Sequence, residues 1–220
     1  MRFFGTLATL LLSFAASTVL SSGSSSNFSA SAPCDSNSSA GMNQMQLSEC
    51  WGTSAKHAAA ELATALAQVT SGLSKLGIDP KPLGGISAAW SATRDKTCTF
   101  EYGLAAGGSI APMLYSECLD RMTRACTARL RALLESARAK GAISAAQPVS
   151  SKVDAELNRV YGLLAKRVTS AQRDALAASE VAWISYRDKA CAFEGGTCLT
   201  DLEQERIAEL EAGYMGERFW

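Results

Sequence analysis

Cysteine is the most chemically versatile residue type in this chain, because its sulfur can form disulfides, bind zinc or act as a nucleophile. The 220-residue sequence contains seven cysteines and a single histidine, His57. No two cysteines have the Cys-x-x-Cys spacing of zinc sites, and one histidine leaves little scope for acid–base catalysis. Disulfide bonds are therefore the expected state of the cysteines, and we expect neither a metal site nor a cofactor.

Two of the cysteines end nearly identical stretches of sequence. Residues 89–98 read AWSATRDKTC and residues 182–191 read AWISYRDKAC. The tryptophan, arginine and cysteine of each stretch are four residues apart, so they share one face of a helix. The indole provides buried area, the arginine can lie across its ring, and the cysteine can lock this face to a neighbouring segment. The motif residues are Trp90, Arg94, Asp95 and Cys98 in the first copy and Trp183, Tyr186, Arg187, Asp188 and Cys191 in the second.

The simplest interpretation of this motif is a structural clasp without a partner contact. An arginine on a half-buried face usually meets a carboxylate of its own fold. Glu61 and Glu156 are the candidate partners that the sequence offers.

The order of segments around the two stretches predicts a duplicated helical unit. Each copy has a helix that begins Ala-Glu-Leu, a break, the motif helix, a Gly-Gly loop, a second cysteine and a further helix. The second copy contains two cysteines, so Cys191 is predicted to pair with Cys198. By position Cys98 then pairs with Cys118, which leaves Cys34 with Cys50. Cys126 is unpaired in this scheme and is either a buried thiol or a handle for dimerisation.

Helical periodicity without sustained alternation predicts an all-α fold of two disulfide-stapled helical units in tandem. Glycine and proline are expected to interrupt the helices at residues 77–85 and 103–112. Helices are predicted over about 43–73, 86–102, 113–140, from 151, 170–193 and 199–214. The expected organisation is a signal peptide and low-complexity tail at 1–32, a first unit at 34–140, a linker at 141–150 and a partial second unit at 151–216.

The N-terminus has the layout of a secretory signal peptide. Arg2 precedes an apolar run over residues 3–20, and a tract rich in Ser and Gly follows. The alternative is a membrane anchor, but the Thr and Ser within the run and the lack of a basic flank oppose it. Cleavage could follow Gly23 or Ala32. We expect a periplasmic or secreted protein without a membrane span after signal removal, which suits disulfide formation.

Composition excludes other functions. The formal net charge is zero, so there is no overall attraction to nucleic acid. A basic helix carries no interleaved aromatic residues that would favour nucleic-acid binding; its arginines are Arg121, Arg124, Arg129, Arg131 and Arg138. The sequence contains no GxSxG, P-loop or HExxH motif. We therefore expect a protein that is not an enzyme and has a protein partner, and the sequence leaves its oligomeric state open.

Taken together, these motifs resemble the LprI-type lysozyme inhibitor family of exported bacterial proteins. The first copy matches over about residues 34–135 through Cys34, Cys50, Trp90, Arg94-Asp95, Cys98, Gly107-Gly108-Ser109-Ile110, Cys118 and Thr123. A partial second copy matches over about 152–212 through Leu157-Asn158, Tyr161, Gln172, Trp183, Tyr186-Arg187-Asp188, Cys191, Gly195-Gly196, Cys198 and Arg206. Each copy lacks elements that the other keeps: Thr93 replaces the aromatic residue in the first, and the second lacks the first two cysteines.

The resemblance implies an exported inhibitor of lysozyme or a related cell-wall hydrolase. Such an inhibitor needs a rigid segment that fills a saccharide cleft whose chemistry depends on two carboxylates. The loop at residues 102–116 is our candidate, because a disulfide at its base lowers the ordering cost of binding. Its tip is the predicted binding site, with Ser109 able to donate a hydrogen bond to a catalytic carboxylate; the tip residues are Gly107, Gly108, Ser109 and Ile110.

Two alternatives stay open at this stage. The loop is equally consistent with an ordinary stapled connection between helices. The chain as a whole could be a periplasmic helical adaptor or an immunity-type module without lysozyme activity, since duplicated helical units present grooves between helices.

Overall fold

The computed structural model describes Cys34 and residues 39–214, with side chains described as far as Glu211. The predicted signal peptide and tail at 1–32, and the last two residues of the predicted second unit, lie outside the described residues. The described part of the chain contains no strand and folds into α1 (Gln44–Lys75), α2 (Pro82–Leu104), α3 (Ala111–Lys140), α4 (Ser151–Arg167), α5 (Ser170–Glu194) and α6 (Cys198–Ala208). The predicted all-α class is confirmed.

The helix starts follow local capping chemistry. α1 begins with a capping box in which Asn43 and Gln46 exchange side-chain to backbone hydrogen bonds, and Thr169 and Gln172 do the same at the start of α5. These bonds satisfy amide groups that a helix leaves unpaired in its first turn. α3 ends at Lys140 and is capped by Gly141, which adopts the left-handed conformation with a φ of 70°.

Two helix boundaries differ from the sequence prediction by four residues or more. α2 begins at Pro82, four residues earlier than expected, because proline suits the first helical position. Leu83 and Ile86 are buried and hold this first turn against the core, which keeps the intervening Gly84 and Gly85 helical. At the other end of the chain α6 stops at Ala208, and a π-helical segment, Glu209–Tyr214, continues from it.

The two repeats have the same packing scheme. α1 packs along α3 in the first repeat, and α4 packs against α6 in the second. α1 comes close to α3 because Ala58, Ala65 and Gly72 recur at intervals of seven residues, and the Leu134 side chain fills the space that a Cβ at Gly72 would need. None of the described helices combines the length and apolar character needed to cross a bilayer.

The motif helices α2 and α5 form the contact between the repeats. At its centre the buried hydroxyl groups of Thr97 and Ser179 share a hydrogen bond of 3.0 Å. One hydrophobic core runs from Val69 and Leu73 on α1 through both motif helices to Leu202 on α6. The repeats therefore share a core, and their relative position is fixed by apolar packing.

Three disulfides staple this helical scaffold. They join Cys34 to Cys50, Cys98 to Cys118, and Cys191 to Cys198, which are the pairs expected from the repeat. Cys126 is the free cysteine of the described residues and is half-buried. The first bridge is supported by Ser54, whose hydroxyl accepts from the Cys34 amide and donates to Asp120.

The segment at 141–150 between the repeats lies against the second one. Ala146 forms an isolated parallel bridge with Gly196. The Gln147 amide donates to the Gly196 carbonyl at 2.8 Å, and the Gly196 amide donates to the Ala145 carbonyl at 2.9 Å. The linker therefore covers the turn between α5 and α6.

Candidate functional site

The repeated motif forms the same clasp in both repeats. Trp90 and Trp183 are each 5% exposed. The guanidinium carbon of Arg94 lies 5.1 Å from the ring centroid of Trp90, and that of Arg187 lies 5.3 Å from the ring centroid of Trp183. Both arrangements are cation–π contacts at the edge of the core, so the tryptophan faces are occupied by the protein's own arginines.

The arginine partners differ from the two glutamates suggested by the sequence. Arg94 donates to Asp95 from two nitrogens at 2.9 and 2.7 Å, and Arg187 makes the same pair of bonds to Asp188. The adjacent aspartate reaches the guanidinium without bringing another element into contact. Glu61 pairs instead with Arg124, and Glu156 with Arg159.

Arg187 has a further partner that Arg94 lacks among the residues that the structure describes. Its Nη1 donates to the buried Glu203 at 3.0 Å. Burial raises the pKa of the Glu203 carboxyl, and Arg187 opposes that shift. The second clasp is therefore tied to α6 by a buried ion pair.

The predicted binding loop is shorter than expected. α2 continues to Leu104 and α3 begins at Ala111, so the connection is limited to residues 105–110. We call this connection the α2–α3 loop. Its tip residues are all exposed, namely Gly107, Gly108, Ser109 and Ile110. Cys98 and Cys118 lie within the two helices below the loop, so their disulfide fixes the helices and not the loop itself.

The conformation of the α2–α3 loop depends on Gly107. Its φ is 89°, and a Cβ at this position would have no neighbour within 4 Å. The backbone therefore requires glycine for its angle, while the space around it is open. Within the loop the Gly108 amide donates to the Ala105 carbonyl at 3.0 Å, and further backbone hydrogen bonds, such as Ala111 amide to Gly108 carbonyl at 3.2 Å, join the loop to the adjoining helices.

The corresponding Gly-Gly turn of the second repeat is closed. Gly195 has a φ of 63°, and a Cβ there would overlap the Ser144 carbonyl of the linker. Together with the two backbone hydrogen bonds at Gly196, the linker covers one side of this turn. Of the two Gly-Gly segments, the first is exposed to solvent and the second packs against the linker.

A cleft of about 560 Å³ lies between α3 and α6, with α2 and α5 as its floor. We call it the inter-repeat cleft. Most of its lining consists of residues at equivalent positions of the two repeats, and the pairs are Trp90 with Trp183, Thr93 with Tyr186, Met122 with Leu202, Ala125 with Glu205, Cys126 with Arg206, and Arg129 with Glu209. Four of these six pairs differ in size or charge, so the cleft is chemically asymmetric.

Two glutamates that were not predicted from the sequence pair with arginines of the cleft wall. Glu101 and Glu194 each follow the motif cysteine by three residues. Glu101 pairs with Arg121, and Glu194 pairs with Arg129 at 2.7 Å. Burial raises the pKa of the Glu194 carboxyl, and Arg129 opposes that shift. The 93-residue offset of the repeat was the signal that could have identified them.

Arg206 and Cys126 face this cleft from opposite walls. The Arg206 side chain is 1% exposed and pairs with Glu180 at 2.9 Å and with Glu209 at 2.7 Å. Its guanidinium carbon also lies 5.9 Å from the ring centroid of Trp183. Burial, with a smaller contribution from Glu194, raises the pKa of the Cys126 thiol to about 12. The described side chains contain no group of three or more His, Cys, Asp or Glu placed to hold a metal ion.

The sequence motifs and the stapled helical fold agree with one known family. The family model described as lysozyme inhibitor LprI matches residues 34–130 and 135–210. The chain belongs to the LprI lysozyme inhibitor family. The resemblance seen in the sequence is confirmed, and the two LprI segments agree with a full and a partial copy in tandem.

The individual relatives have names that state no activity. An uncharacterized protein, R02472, of Rhizobium meliloti (strain 1021) is 36% identical over 107 residues, which cover 44% of this chain and 77% of that protein. The crystal structure of an uncharacterized protein from Burkholderia thailandensis has a TM-score of 0.64 at 17% identity, over 79% of this chain and 88% of that one. That likeness shows the shared fold.

Membership in the LprI family bears on activity and location. The family is described as one of inhibitors, which fits a binding protein and not an enzyme. Three disulfides fit a protein that folds in an oxidising compartment.

Proposed function

We propose that this protein is an exported inhibitor of lysozyme or a related cell-wall hydrolase, and that it acts in the periplasm or after secretion. The observation that carries the proposal is the match of both repeats to the lysozyme inhibitor LprI family. The signal peptide predicted for residues 1–32 and the three disulfides support export.

The α2–α3 loop is the proposed inhibitory element. It is an exposed six-residue connection between two long helices that a disulfide holds together. A segment whose ends are fixed loses less conformational entropy when it binds, so less of the contact energy is spent on ordering it. The equivalent segment of the second repeat is covered by the linker, which favours the first repeat as the binding unit.

The composition of the loop tip suits a saccharide cleft. Gly107 and Gly108 have no side chains that would obstruct close approach, and Ile110 presents an exposed apolar side chain beside them. Ser109 can donate a hydrogen bond to one of the two carboxylates on which glycoside hydrolysis depends. A carboxylate held in this way, in a cleft closed to substrate, can neither protonate the leaving group nor attack the sugar.

The function is tested by titrating the mature protein, with its disulfides intact, against several lysozymes of different structural classes. Residual hydrolysis of a cell-wall suspension is the readout. We expect a concentration-dependent loss of hydrolysis with at least one lysozyme. Full hydrolysis with every lysozyme at high micromolar inhibitor would remove the proposed function.

The loop assignment is tested by two variants and two matched controls. Ser109→Ala should weaken inhibition about tenfold or more, because hydrogen bonds to charged groups contribute about 1.5–3 kcal/mol. Gly107→Pro should abolish it, because proline cannot adopt a φ of 89°. Ser185→Ala, on an exposed part of α5, and Gly77→Ala, at a φ of 75° between α1 and α2, are the controls. Unchanged inhibition by both loop variants would exclude the loop.

A helical interaction module without lysozyme activity is the second candidate. Val181 is 69% exposed and Ile184 is 39% exposed on α5, beside a groove of about 280 Å³ between α4 and α5. Exposed apolar side chains next to each other are typical of contact surfaces. A protein that binds a partner through this face, with no effect on any lysozyme, would favour this candidate; a Val181→Ser and Ile184→Ser double variant would then lose the partner.

A further inference from the structure

The inter-repeat cleft has the dimensions of a small-molecule site. Its volume of about 560 Å³ lies within the roughly 300–1,000 Å³ that ligand pockets occupy. Its floor is aromatic and buried, formed by Trp90, Trp183 and Tyr186. Ala125, Ala128 and Ala132 line the α3 side, and their short side chains leave the space open. Inhibition by the α2–α3 loop makes no use of this cleft.

A buried polar group of the cleft floor lacks a protein partner. The Tyr186 side chain is 7% exposed, and no described residue forms a hydrogen bond with its hydroxyl. The Tyr186 oxygen is not among the fully enclosed side-chain atoms that lack a partner in the described residues, so it is accessible from a space that Tyr186 lines. The inter-repeat cleft is the larger of two such spaces. Buried tyrosine hydroxyls usually have a hydrogen-bond partner, and a ligand in the cleft would supply one.

The two walls of the cleft carry opposite charges. α3 contributes Arg121 and Arg129, while Glu205 and Glu209 follow from α6 and the π-helical segment after it. The cross-cleft distances are long: Arg121 Nη1 to Glu209 Oε1 is 3.6 Å, and Arg129 Nη1 to Glu205 Oε1 is 3.7 Å. Three of these four groups also have a closer partner: Arg121 pairs with Glu101, Arg129 with Glu194 and Glu209 with Arg206. A ligand that contacts both walls therefore replaces the long cross-cleft pairs while the closer pairs stay in place.

We propose that the inter-repeat cleft binds a small zwitterion with an apolar body, namely an amino acid or a short peptide with free termini. Its carboxylate faces Arg121 and Arg129, its ammonium group faces Glu205 and Glu209, and its apolar side chain lies on the aromatic floor. The Tyr186 hydroxyl forms a hydrogen bond with it. This site is independent of the lysozyme inhibition proposed above.

The charge requirement is tested with the dipeptide Ala-Phe as the probe and the full disulfide-bonded protein as the receptor. Calorimetry and the shift in Tm on ligand addition are the measurements, and no lysozyme is present. We expect Ala-Phe to bind and to raise Tm, because a ligand that binds the folded state stabilises it. The same dipeptide with an acetylated N-terminus and an amidated C-terminus should bind about tenfold more weakly or worse.

Two variants assign the binding to the cleft. Tyr186→Phe keeps the ring and removes the hydroxyl, and should weaken Ala-Phe binding on the order of fivefold. Glu205→Gln should weaken Ala-Phe binding, because the ammonium group of the ligand faces this carboxylate. Binding of the amidated, N-acetylated peptide, which has no ammonium group, should stay unchanged. Glu135→Gln, on an exposed part of α3, is the matched control. The proposal is overturned if Ala-Phe and phenylalanine both fail to bind at millimolar concentration, if the blocked peptide binds equally well, or if both cleft variants bind like the control.

Discussion

Cys126 and Arg206 occupy equivalent positions of the two repeats, eight residues after Cys118 and Cys198 respectively, and both line the inter-repeat cleft. Arg206 is enclosed by Glu180, Glu209 and the Trp183 ring. On the opposite wall a thiol is present, and Ser87 stands at the position equivalent to Glu180. The charged Glu180 and Arg206 of the second copy thus correspond to the small neutral Ser87 and Cys126 of the first.

The state of Cys126 gives a prediction about its reactivity. Burial raises the pKa of this thiol to about 12, and the thiolate is the reactive form. At pH 8 the folded protein should therefore react with a disulfide reagent more than about a hundredfold more slowly than a free cysteine, whose pKa is about 8.5. The rate should rise about tenfold for each pH unit. In denaturant the Cys126 thiol should react as fast as a free cysteine, and one thiol per chain should be titrated.

A rapid reaction of native protein at neutral pH would contradict this prediction. So would a disulfide-linked dimer that Cys126→Ser abolishes, since such a dimer requires an accessible and reactive sulfur.

Arg206 should be a major determinant of stability. Removal of one partner from a buried ion pair leaves an uncompensated charge and costs about 3–5 kcal/mol. Arg206→Met, which keeps much of the side-chain volume, should lower the free energy of unfolding by this amount in a denaturant titration. The control is Arg159→Met, which breaks a solvent-exposed pair with Glu156 and should leave the free energy of unfolding nearly unchanged. Equal effects of the two substitutions would show that the Arg206 cluster is not stabilising.

The contact between the linker and the second repeat can be tested at Gly195. Gly195→Ala introduces a Cβ that overlaps the Ser144 carbonyl, whereas Gly77→Ala meets nothing within 4 Å at a similar φ. Both variants incur the backbone strain of a positive φ, about 1–3 kcal/mol, and the strain is larger at Gly195 because its ψ of −153° lies in a region that is essentially restricted to glycine. Gly195→Ala should incur about 1–3 kcal/mol in addition from the overlap.

Hydrogen exchange provides the structural readout for the same pair of variants. The Gln147 and Gly196 amides donate across the contact, so both should lose protection in Gly195→Ala and keep it in Gly77→Ala. Equal stability and equal protection in the two variants would mean that the linker does not pack on this turn.

Much of the fold was predictable because the sequence repeats itself. The Trp, Arg and Cys spacing placed both clasps on helix faces, and the two cysteines of the second copy indicated the pairing in the first. Cation–π contacts at Trp90 and Trp183 follow directly from the spacing of four residues. These features are local or are fixed by comparison of the two copies.

Long-range contacts were not predictable in the same way. The sequence does not indicate that the linker crosses the Gly195-Gly196 turn, because this contact uses backbone groups that every residue carries. Nor does it indicate that Thr93 and Tyr186 line one cleft, which depends on the packing of α2 against α5. The Asp95 partner of Arg94 was overlooked because neighbouring residues on a helix usually point apart, and only a long side chain can fold back.

The stoichiometry of inhibition tests the central claim most directly, namely that the first repeat presents an open loop and the second does not. A fixed concentration of a sensitive lysozyme, well above the dissociation constant, is titrated with the intact protein while residual hydrolysis is measured. We predict a break at one lysozyme per chain. A break at two lysozymes per chain, or hydrolysis that shows no break, would contradict the account.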